Sequence, residues 1–149
     1  MEFKVGVHHS PDLERAILGI CVLNSACFGR IYSLVDENCF YGAGNRLVFQ
    51  VLGEMYKSGL PIDVFTVSDQ ILRVKGISEV EGYNPYYFIA RLTQDVVSDA
   101  HLEYHSYIVK NMWMEREIIK LTDSGAKDLD GDISQKVAAL QKKLSNLVS

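Results

Sequence analysis

The sequence has few prolines and no long apolar run. It contains three prolines in 149 residues, and none of its apolar runs approaches the ~20 residues that a membrane-spanning helix needs. The amino terminus also lacks the charged and then apolar layout of a secretory signal. We therefore expect a cytoplasmic protein without a membrane partner. Because 48% of the residues are hydrophobic, the chain has enough apolar material for one compact domain.

Cysteine is scarce as well. Cys21, Cys27 and Cys39 are an odd number of thiols, and each lies beside apolar neighbours. They lack the close paired spacings of a zinc site, and no ligand spacing that we know combines them with His8 and His9. We predict three buried thiols and no metal site.

Basic residues are too few and too scattered to line a nucleic-acid groove. The chain has 15 Lys and Arg against 19 Asp and Glu and a net charge of −4, so counterion release from a phosphate backbone would contribute little. The sequence also lacks the motifs G-x-x-x-x-G-K-[ST], G-x-S-x-G, H-E-x-x-H and G-x-G-x-x-G. The first absence excludes P-loop nucleotide hydrolysis by this chain. We predict no catalytic, metal-binding or cofactor-binding residue in it.

The clearest helical pattern lies between Phe40 and Thr66. Apolar residues recur there at steps of three and four, which is typical of one continuous stripe on a helix. The pattern predicts a helix over residues 43–58, and Gly59 and Pro61 are the signals that end it. The stripe consists of Leu47, Val48, Val51, Leu52 and Met55.

A second helix is predicted directly after this stretch. Thr66-Val-Ser-Asp69 has the spelling of a capping box, in which Thr66 would be the N-cap. The helix would end at Gly76. Its core face would consist of Val67, Ile71, Leu72 and Val74.

The first helix of the chain has its own start signals. Ser10 suits the N-cap and Pro11 the first helical position, while Asp12 and Glu14 would lie against the positive end of the helix dipole. Gly19, inside this helix, indicates a close crossing with another helix, since glycine otherwise costs about 1 kcal/mol there.

Two further helix starts are marked by polar residues. Asn24 or Ser25 can cap a short third helix. Asn84 and Pro85 form another cap-then-proline start, which opens a helix that is apolar on more than one side and is therefore expected to lie between layers. Its apolar residues are Tyr86, Tyr87, Phe88, Ile89 and Leu92.

The carboxy-terminal third predicts a helical hairpin. The longest helical pattern runs from about Asp99 to Lys127, and the last segment follows alternating steps of four and three, which is the seam of a coiled-coil-type helix. The turn between them, residues 128–132, is unlike an EF-hand loop, because Gly falls fourth and Ala139 twelfth. The last segment's seam is Ile133, Val137, Leu140, Leu144 and Leu147.

Together these patterns predict an all-α fold, a compact helical bundle followed by an antiparallel helical hairpin. We divide the chain into a flexible lead-in at residues 1–9, a bundle at residues 10–98 and the hairpin at residues 99–149. Tyr104, Tyr107 and their neighbours exceed what one partner helix can cover, so some of this surface should meet the bundle or another subunit. The hairpin and interface residues that we predict are Tyr107, Trp113, Met114, Ile118, Leu121, Ile133, Val137, Leu140 and Leu144.

Two other functional interpretations are open. His101 and His105 lie one helical turn apart and could form half of a metal site, although a surface histidine pair is the commoner explanation. The cluster Tyr83, Tyr86, Tyr87 and Phe88 could stack bases in an accessory replication protein that binds single-stranded DNA. The net charge of −4 favours a core or interface position for those rings.

Several of these segments resemble the N-terminal domain of bacterial replicative DNA helicases of the DnaB type. The resemblance covers about residues 10–120, and Pro61-Ile-Asp-x-x-Thr66 after a glycine stop is its most specific part. The turns at residues 81–85 and 95–98 depart from the family pattern, which suggests a divergent, phage or mobile-element version. The matching segments are Asp12–Gly19, Phe40–Tyr41, Asn45–Phe49, Ser58–Val67 and Leu72.

What the resemblance implies is a non-catalytic domain of a helicase. Subunits of that family pair through their hairpins into the collar of a hexamer, which also bears on binding of primase and the helicase loader. The motor, with its ATP and Mg²⁺, lies in a separate C-terminal domain. We therefore expect self-association as a dimer or hexamer, no cofactor in this domain, and contact with DNA only through the full-length protein.

Overall fold

The computed structural model describes residues 9–94, 96, 98–123 and 133–148. Every regular element among these residues is a helix, which confirms the all-α prediction. The elements are α1 (Pro11–Leu23), α2 (Ser25–Ile31), a 3₁₀ helix (Glu37–Cys39), α3 (Ala43–Lys57), α4 (Val64–Asp69) with a π-helical continuation (Gln70–Val74), α5 (Pro85–Gln94), α6 (Leu102–Asp123) and α7 (Ile133–Val148).

The chain divides into two compact units that join within α6. One unit consists of residues 9–110, and the described part of the other consists of residues 111–123 and 133–148. Residues 1–8 of the lead-in predicted at residues 1–9 lie outside the described residues, as does the predicted turn at residues 128–132. The boundary drawn at residue 98 stays a prediction. None of the described helices is long and apolar enough to cross a membrane.

The predicted helix starts near residues 10 and 24 are confirmed. Ser10 is the N-cap of α1, and its hydroxyl accepts a hydrogen bond from the Leu13 amide at 3.3 Å. Asn24 ends α1 and also caps α2, because its side-chain oxygen accepts from the Ala26 amide at 3.2 Å. One asparagine therefore sets the bend between two helices.

Gly19 lies at the predicted close helix crossing. A Cβ atom on Gly19 would lie 1.9 Å from the backbone carbonyl oxygen of Leu92 in α5. Only a glycine lets the backbones of α1 and α5 approach to this distance. The contact places the first and fifth helices side by side in the core.

Helix α3 is the central element of the larger unit, and its predicted boundaries are confirmed. Val48, Leu52 and Met55 on its predicted stripe are buried. The helix ends at Lys57, and Gly59 has a φ of +68°, the left-handed conformation expected at a helix stop. The Leu60 amide donates to the Met55 carbonyl at 2.9 Å and closes this end.

The predicted cap of α4 is wrong by three residues. Asp63 is the N-cap, and its carboxylate accepts from the Thr66 amide at 2.8 Å, while the Thr66 hydroxyl accepts from the Asp63 amide at 2.8 Å. Thr66 is thus the third helical residue of the box, and the Asp63 carboxylate reaches forward to it. A capping box is present, but it pairs Asp63 with Thr66 and not Thr66 with Asp69.

The continuation of α4 also differs from the prediction. The Lys75 amide donates to the Gln70 carbonyl, five residues earlier, so the helix widens into a π turn before Gly76. The wider turn rotates the following side chains relative to an α-helix. Ile71 is buried as predicted, whereas Leu72 and Val74 are exposed and do not belong to the core.

The core of the larger unit is apolar and contains the three cysteines. Phe28 packs against Phe49 with ring centroids 5.3 Å apart. All three thiols are reduced and buried, as predicted, and burial raises the pKa of Cys21 to about 12 and that of Cys39 to about 11. These thiols are protonated and unreactive at neutral pH.

An arginine fixes the start of α6. The guanidinium of Arg30 in α2 donates to the Asp99 carboxylate at 2.7 Å and to both carboxylate oxygens of Glu103, at 2.6 and 2.8 Å. These hydrogen bonds from Arg30 lower the pKa of Glu103 to about 2. Because the Asp99 carbonyl accepts from the Leu102 amide at 3.2 Å, α6 begins at Leu102 and not at Asp99.

Candidate interaction surfaces

The described part of the smaller unit has almost no core. Among its described side chains, Arg116 is the buried one, with 7% of its surface exposed. The apolar side chains described in this unit are all at least partly exposed. Ile118 is 43% and Val137 is 47% exposed. Two helices alone cannot cover the apolar surface that they carry.

Helices α6 and α7 nevertheless face one another. Their side chains line a shallow cavity of about 370 Å³, which Ser145 borders together with apolar side chains. The cavity brings the end of α7 beside the middle of α6, as in an antiparallel hairpin. Four of its lining residues, Met114, Ile118, Leu144 and Leu147, belong to the helical patterns from which the hairpin was predicted. The apolar lining consists of Met114, Ile118, Leu144, Leu147 and Val148.

The predicted hairpin residues differ in burial and in the unit to which they belong. Trp113, Met114 and Leu121 on α6 and Leu140 and Leu144 on α7 are half-buried. Tyr107 is exposed and belongs to the part of α6 in the larger unit. The side chain of Ile133 lies outside the described residues. Val148 was missed, because it follows the last residue of the four-and-three pattern.

The predicted tyrosine cluster is not a single surface. Tyr83 and Tyr87 pack together with centroids 5.1 Å apart, whereas Tyr86 makes an edge contact with Phe65 at 5.2 Å, in a separate groove. Tyr86 and Tyr87 are 40% and 52% exposed, so α5 does not lie between layers as predicted. Consecutive residues point about 100° apart on a helix, and this rotation separates the two rings.

Tyr83 borders a partly enclosed pocket of about 290 Å³. Its walls are aromatic rings and two guanidinium groups, and the carboxylates of Glu14 and Glu81 also line it. The rim includes Arg91, whose guanidinium lies 5.6 Å from the Tyr83 centroid and 5.8 Å from the Tyr87 centroid. The other wall residues are His9, Pro11, Arg15, Tyr41, Gly42, Asn45, Phe88 and Leu92.

A buried glutamate forms part of this pocket and holds the segment that leads into α3. Glu14 is 1% exposed, and its carboxylate accepts from the amides of Tyr41 and Gly42 and from the side chain of Asn45, at 2.9 to 3.2 Å. Tyr41 and Gly42 directly precede Ala43, the first residue of α3, so Glu14 fixes the entry to this helix. The local pattern suggested only a role in the dipole of α1, and the contact 27 residues away gave no sequence signal.

The histidine pair does not form a metal site with described residues. The rings of His101 and His105 lie 6.1 Å apart. No group of three or more His, Cys, Asp or Glu among the described residues is arranged to hold a metal ion. A pair of imidazoles alone would hold a metal weakly.

Comparison with known proteins identifies relatives of the chain. The family model described as the DnaB-like helicase N-terminal domain matches residues 7–111. A replicative DNA helicase DnaB from Buchnera aphidicola is 28% identical over 143 residues, covering 94% of this chain and 30% of the relative. Another from Treponema pallidum is 28% identical over 113 residues, covering 76% of this chain and 25% of the relative. The chain thus spans less than a third of either relative.

A solved structure shows the same fold. The crystal structure of the N-terminal domain of DnaB helicase from Mycobacterium tuberculosis superimposes with a TM-score of 0.79 at 19% sequence identity. The match covers 93% of this chain and 98% of that structure. The helical bundle and hairpin are therefore a known architecture.

Proposed function

Because the chain belongs to the family of DnaB-like helicase N-terminal domains, we propose that it is a non-catalytic interaction domain whose copies associate through the α6–α7 hairpin. The domain would assemble subunits and would serve as a docking platform for the primase and the helicase loader. Unwinding, with its ATP and Mg²⁺, would belong to a separate motor domain of the full-length protein.

The observation that carries this proposal is the apolar surface of the smaller unit. A row of Leu, Ile, Val and Met side chains faces the groove between α6 and α7, yet Arg116 is the one buried side chain that its described part contains. A second hairpin would cover such a surface, and burial of apolar area contributes about 25 cal/mol per Å². Symmetric pairing would present the same row from each copy.

The experiment is to charge the seam and measure mass. Leu140→Asp places a carboxylate on the half-buried face of α7, and we expect light scattering to show a shift from oligomer to monomer. Gln141→Asp introduces the same charge at the next position, where the side chain is exposed, and it should leave the mass unchanged. Circular dichroism of both variants distinguishes lost association from lost helix.

Two outcomes would argue against the proposal. If the wild-type chain is monomeric at concentrations well above the micromolar range, the hairpin does not mediate association. If Leu140→Asp and Gln141→Asp reduce the mass equally, the seam is not the contact. Binding of primase and loader is tested separately, by co-elution of the wild-type chain with each purified protein.

A further inference from the structure

We propose that the pocket beside Tyr83 binds one unpaired nucleotide of a nucleic-acid strand, with its base among the aromatic rings and its phosphate at Arg91 and Arg15. This site is independent of the hairpin, because all its residues lie in the unit of residues 9–110. The site contains only part of the tyrosine cluster that the sequence suggested for stacking bases, since Tyr86 lies in a different groove.

The aromatic walls suit a base. Tyr41 and Tyr83 both line the pocket, and their rings offer the flat apolar faces on which unpaired bases stack. The volume of about 290 Å³ is at the lower end of small-ligand pockets. A single nucleotide is therefore the appropriate size, whereas a base pair within a duplex could not enter.

The guanidinium groups suit a phosphate. Arg91 contacts two tyrosine rings and makes no ion pair with any described residue, so its five N–H donors are available. Arg15 lies on the same pocket and pairs with the exposed Asp12 on its own helix. Arginine binds phosphate oxygens through two parallel hydrogen bonds, which gives geometric selectivity.

The two carboxylates in the pocket do not oppose this ligand. Glu14 is already occupied by three hydrogen-bond donors. The Oε2 atom of Glu81 lies 2.7 Å from the position that a Cβ on Gly44 would take, at the start of α3, where the positive end of the helix dipole compensates its charge. Neither carboxylate is therefore paired with Arg15 or Arg91 in the described part of the chain.

One polar atom in the pocket still lacks a partner. His9 stacks on Tyr41 with centroids 4.0 Å apart. Its Nδ1 atom is buried and has no hydrogen-bond partner within the described part of the chain. Buried polar atoms are normally satisfied, and a base edge or sugar hydroxyl in the pocket would supply the missing hydrogen bond.

The test uses the full 149-residue chain and fluorescein-labelled pentadeoxythymidylate, with binding measured by fluorescence anisotropy. We expect saturable binding. The logarithm of the association constant should fall with the logarithm of salt concentration at a slope of about −1, because one or two phosphates are contacted. Tyr83→Leu and Arg91→Gln should each weaken binding about tenfold. Both variants should keep the wild-type helix content.

Matched controls come from the neighbouring groove. Tyr86→Leu removes a ring that is 40% exposed, against 43% for Tyr83, and Arg73→Gln removes an exposed guanidinium. Both should bind pentadeoxythymidylate as the wild type does. Unaltered binding by Tyr83→Leu and Arg91→Gln, or equal losses in Tyr86→Leu and Arg73→Gln, would overturn the assignment.

Competition experiments identify the ligand class. Unlabelled thymidine monophosphate should displace the probe at lower concentration than inorganic phosphate does. Equal displacement by inorganic phosphate would reduce the pocket to an anion site and overturn the proposal. Equal affinity for a blunt duplex of the same length would overturn it too, because a paired base cannot enter the pocket.

Discussion

Single residues in this protein stabilise contacts between segments that are distant in the sequence, and Glu14 is the clearest case. Its buried carboxylate accepts hydrogen bonds from the amides of Tyr41 and Gly42, directly before α3, and from the side-chain amide of Asn45. These hydrogen bonds hold the entry to α3, whose N-cap Gly42 makes no side-chain capping bond. The start of α3 therefore depends on a residue of α1.

We predict that Glu14→Gln destabilises the domain by about 1–3 kcal/mol, because the amide NH₂ of glutamine would face hydrogen-bond donors in a buried position. Urea unfolding followed by circular dichroism measures the change. Asp12→Asn is the control, since Asp12 is exposed on the same helix, and it should change stability by less than about 0.5 kcal/mol. Equal effects of both substitutions would show that the hydrogen bonds of Glu14 do not stabilise the domain.

The sequence predicted helix starts correctly where one residue acts on its own neighbours, as Ser10 and Asn24 do. It failed at α4, because the pairs Asp63–Thr66 and Thr66–Asp69 both have the spacing of a capping box, and the spelling alone does not choose the N-cap. It also failed for Glu14, since the partners of a buried carboxylate are set by tertiary packing.

At the scale of elements, two glycines should respond oppositely to alanine. Gly19→Ala forces a methyl group against the Leu92 carbonyl, so α1 and α5 must separate, and we expect a loss of about 1–3 kcal/mol. Gly53 lies inside α3, and a Cβ there meets only Phe28 Cζ at 3.8 Å. Gly53→Ala should therefore stabilise the domain by up to about 1 kcal/mol.

Thermal or urea unfolding of the two variants checks this pair. The same chemical change is made in two helices, so intrinsic helix propensity alone would stabilise both. A gain of stability in Gly19→Ala would mean that the two helices can move apart without cost, and it would contradict the close crossing.

The junction between α2 and α6 makes a prediction about pH. Hydrogen bonds from Arg30 lower the pKa of Glu103 from 4.5 to about 2. A carboxylate with a lowered folded-state pKa contributes stability that is fully present above its unfolded pKa, near 4.5, and is lost as the pH falls towards about 2. The stability difference between wild type and Arg30→Gln should therefore shrink across this interval.

Carbon-detected NMR titration of the Glu103 carboxyl measures the pKa directly. In Arg30→Gln it should rise towards 4.5. Arg73→Gln, which removes the distant ion pair with Asp69, should leave the Glu103 pKa near 2. An unshifted Glu103 pKa in Arg30→Gln would show that the lowering has another cause.

Helical periodicity predicted α3 closely and the continuation of α4 poorly. The stripe of α3 follows ideal steps of three and four, whereas the π turn after Asp69 changes the number of residues per turn, so a pattern based on 3.6 residues assigned Leu72 and Val74 to the wrong face. The tyrosines carried no such signal, because Tyr83 precedes α5 and its place beside Tyr87 depends on the turn before that helix.

For the whole molecule, the all-α class, the hairpin and the family were predictable, because they follow from long periodic segments and a specific motif. The difference in side-chain burial between the two units was not predictable in the same way. The pattern at residues 133–147 identifies which side chains form a seam, but the extent of their burial depends on what covers them, and no periodicity encodes that.

The contrast between the two units leads to the last prediction. Residues 9–110 contain nearly all the buried side chains of the described chain, whereas Arg116 is the buried one in the described part of the other unit. An isolated helix of about 16 residues is marginal in water, so α7 should owe much of its protection to association. A bound partner at a hundredfold excess over its Kd adds about 2.7 kcal/mol.

Hydrogen exchange measured by mass spectrometry over a wide range of protein concentration tests this expectation. Amide protection in α7 should increase with concentration in the wild type and in Gln141→Asp, and should stay low in Leu140→Asp, while protection of α1 and α3 changes in none of them. High protection of α7 that is independent of concentration would mean that the hairpin is stable within a single chain. The apolar seam would then serve the fold of one molecule, and the proposed contact between copies would have to lie elsewhere.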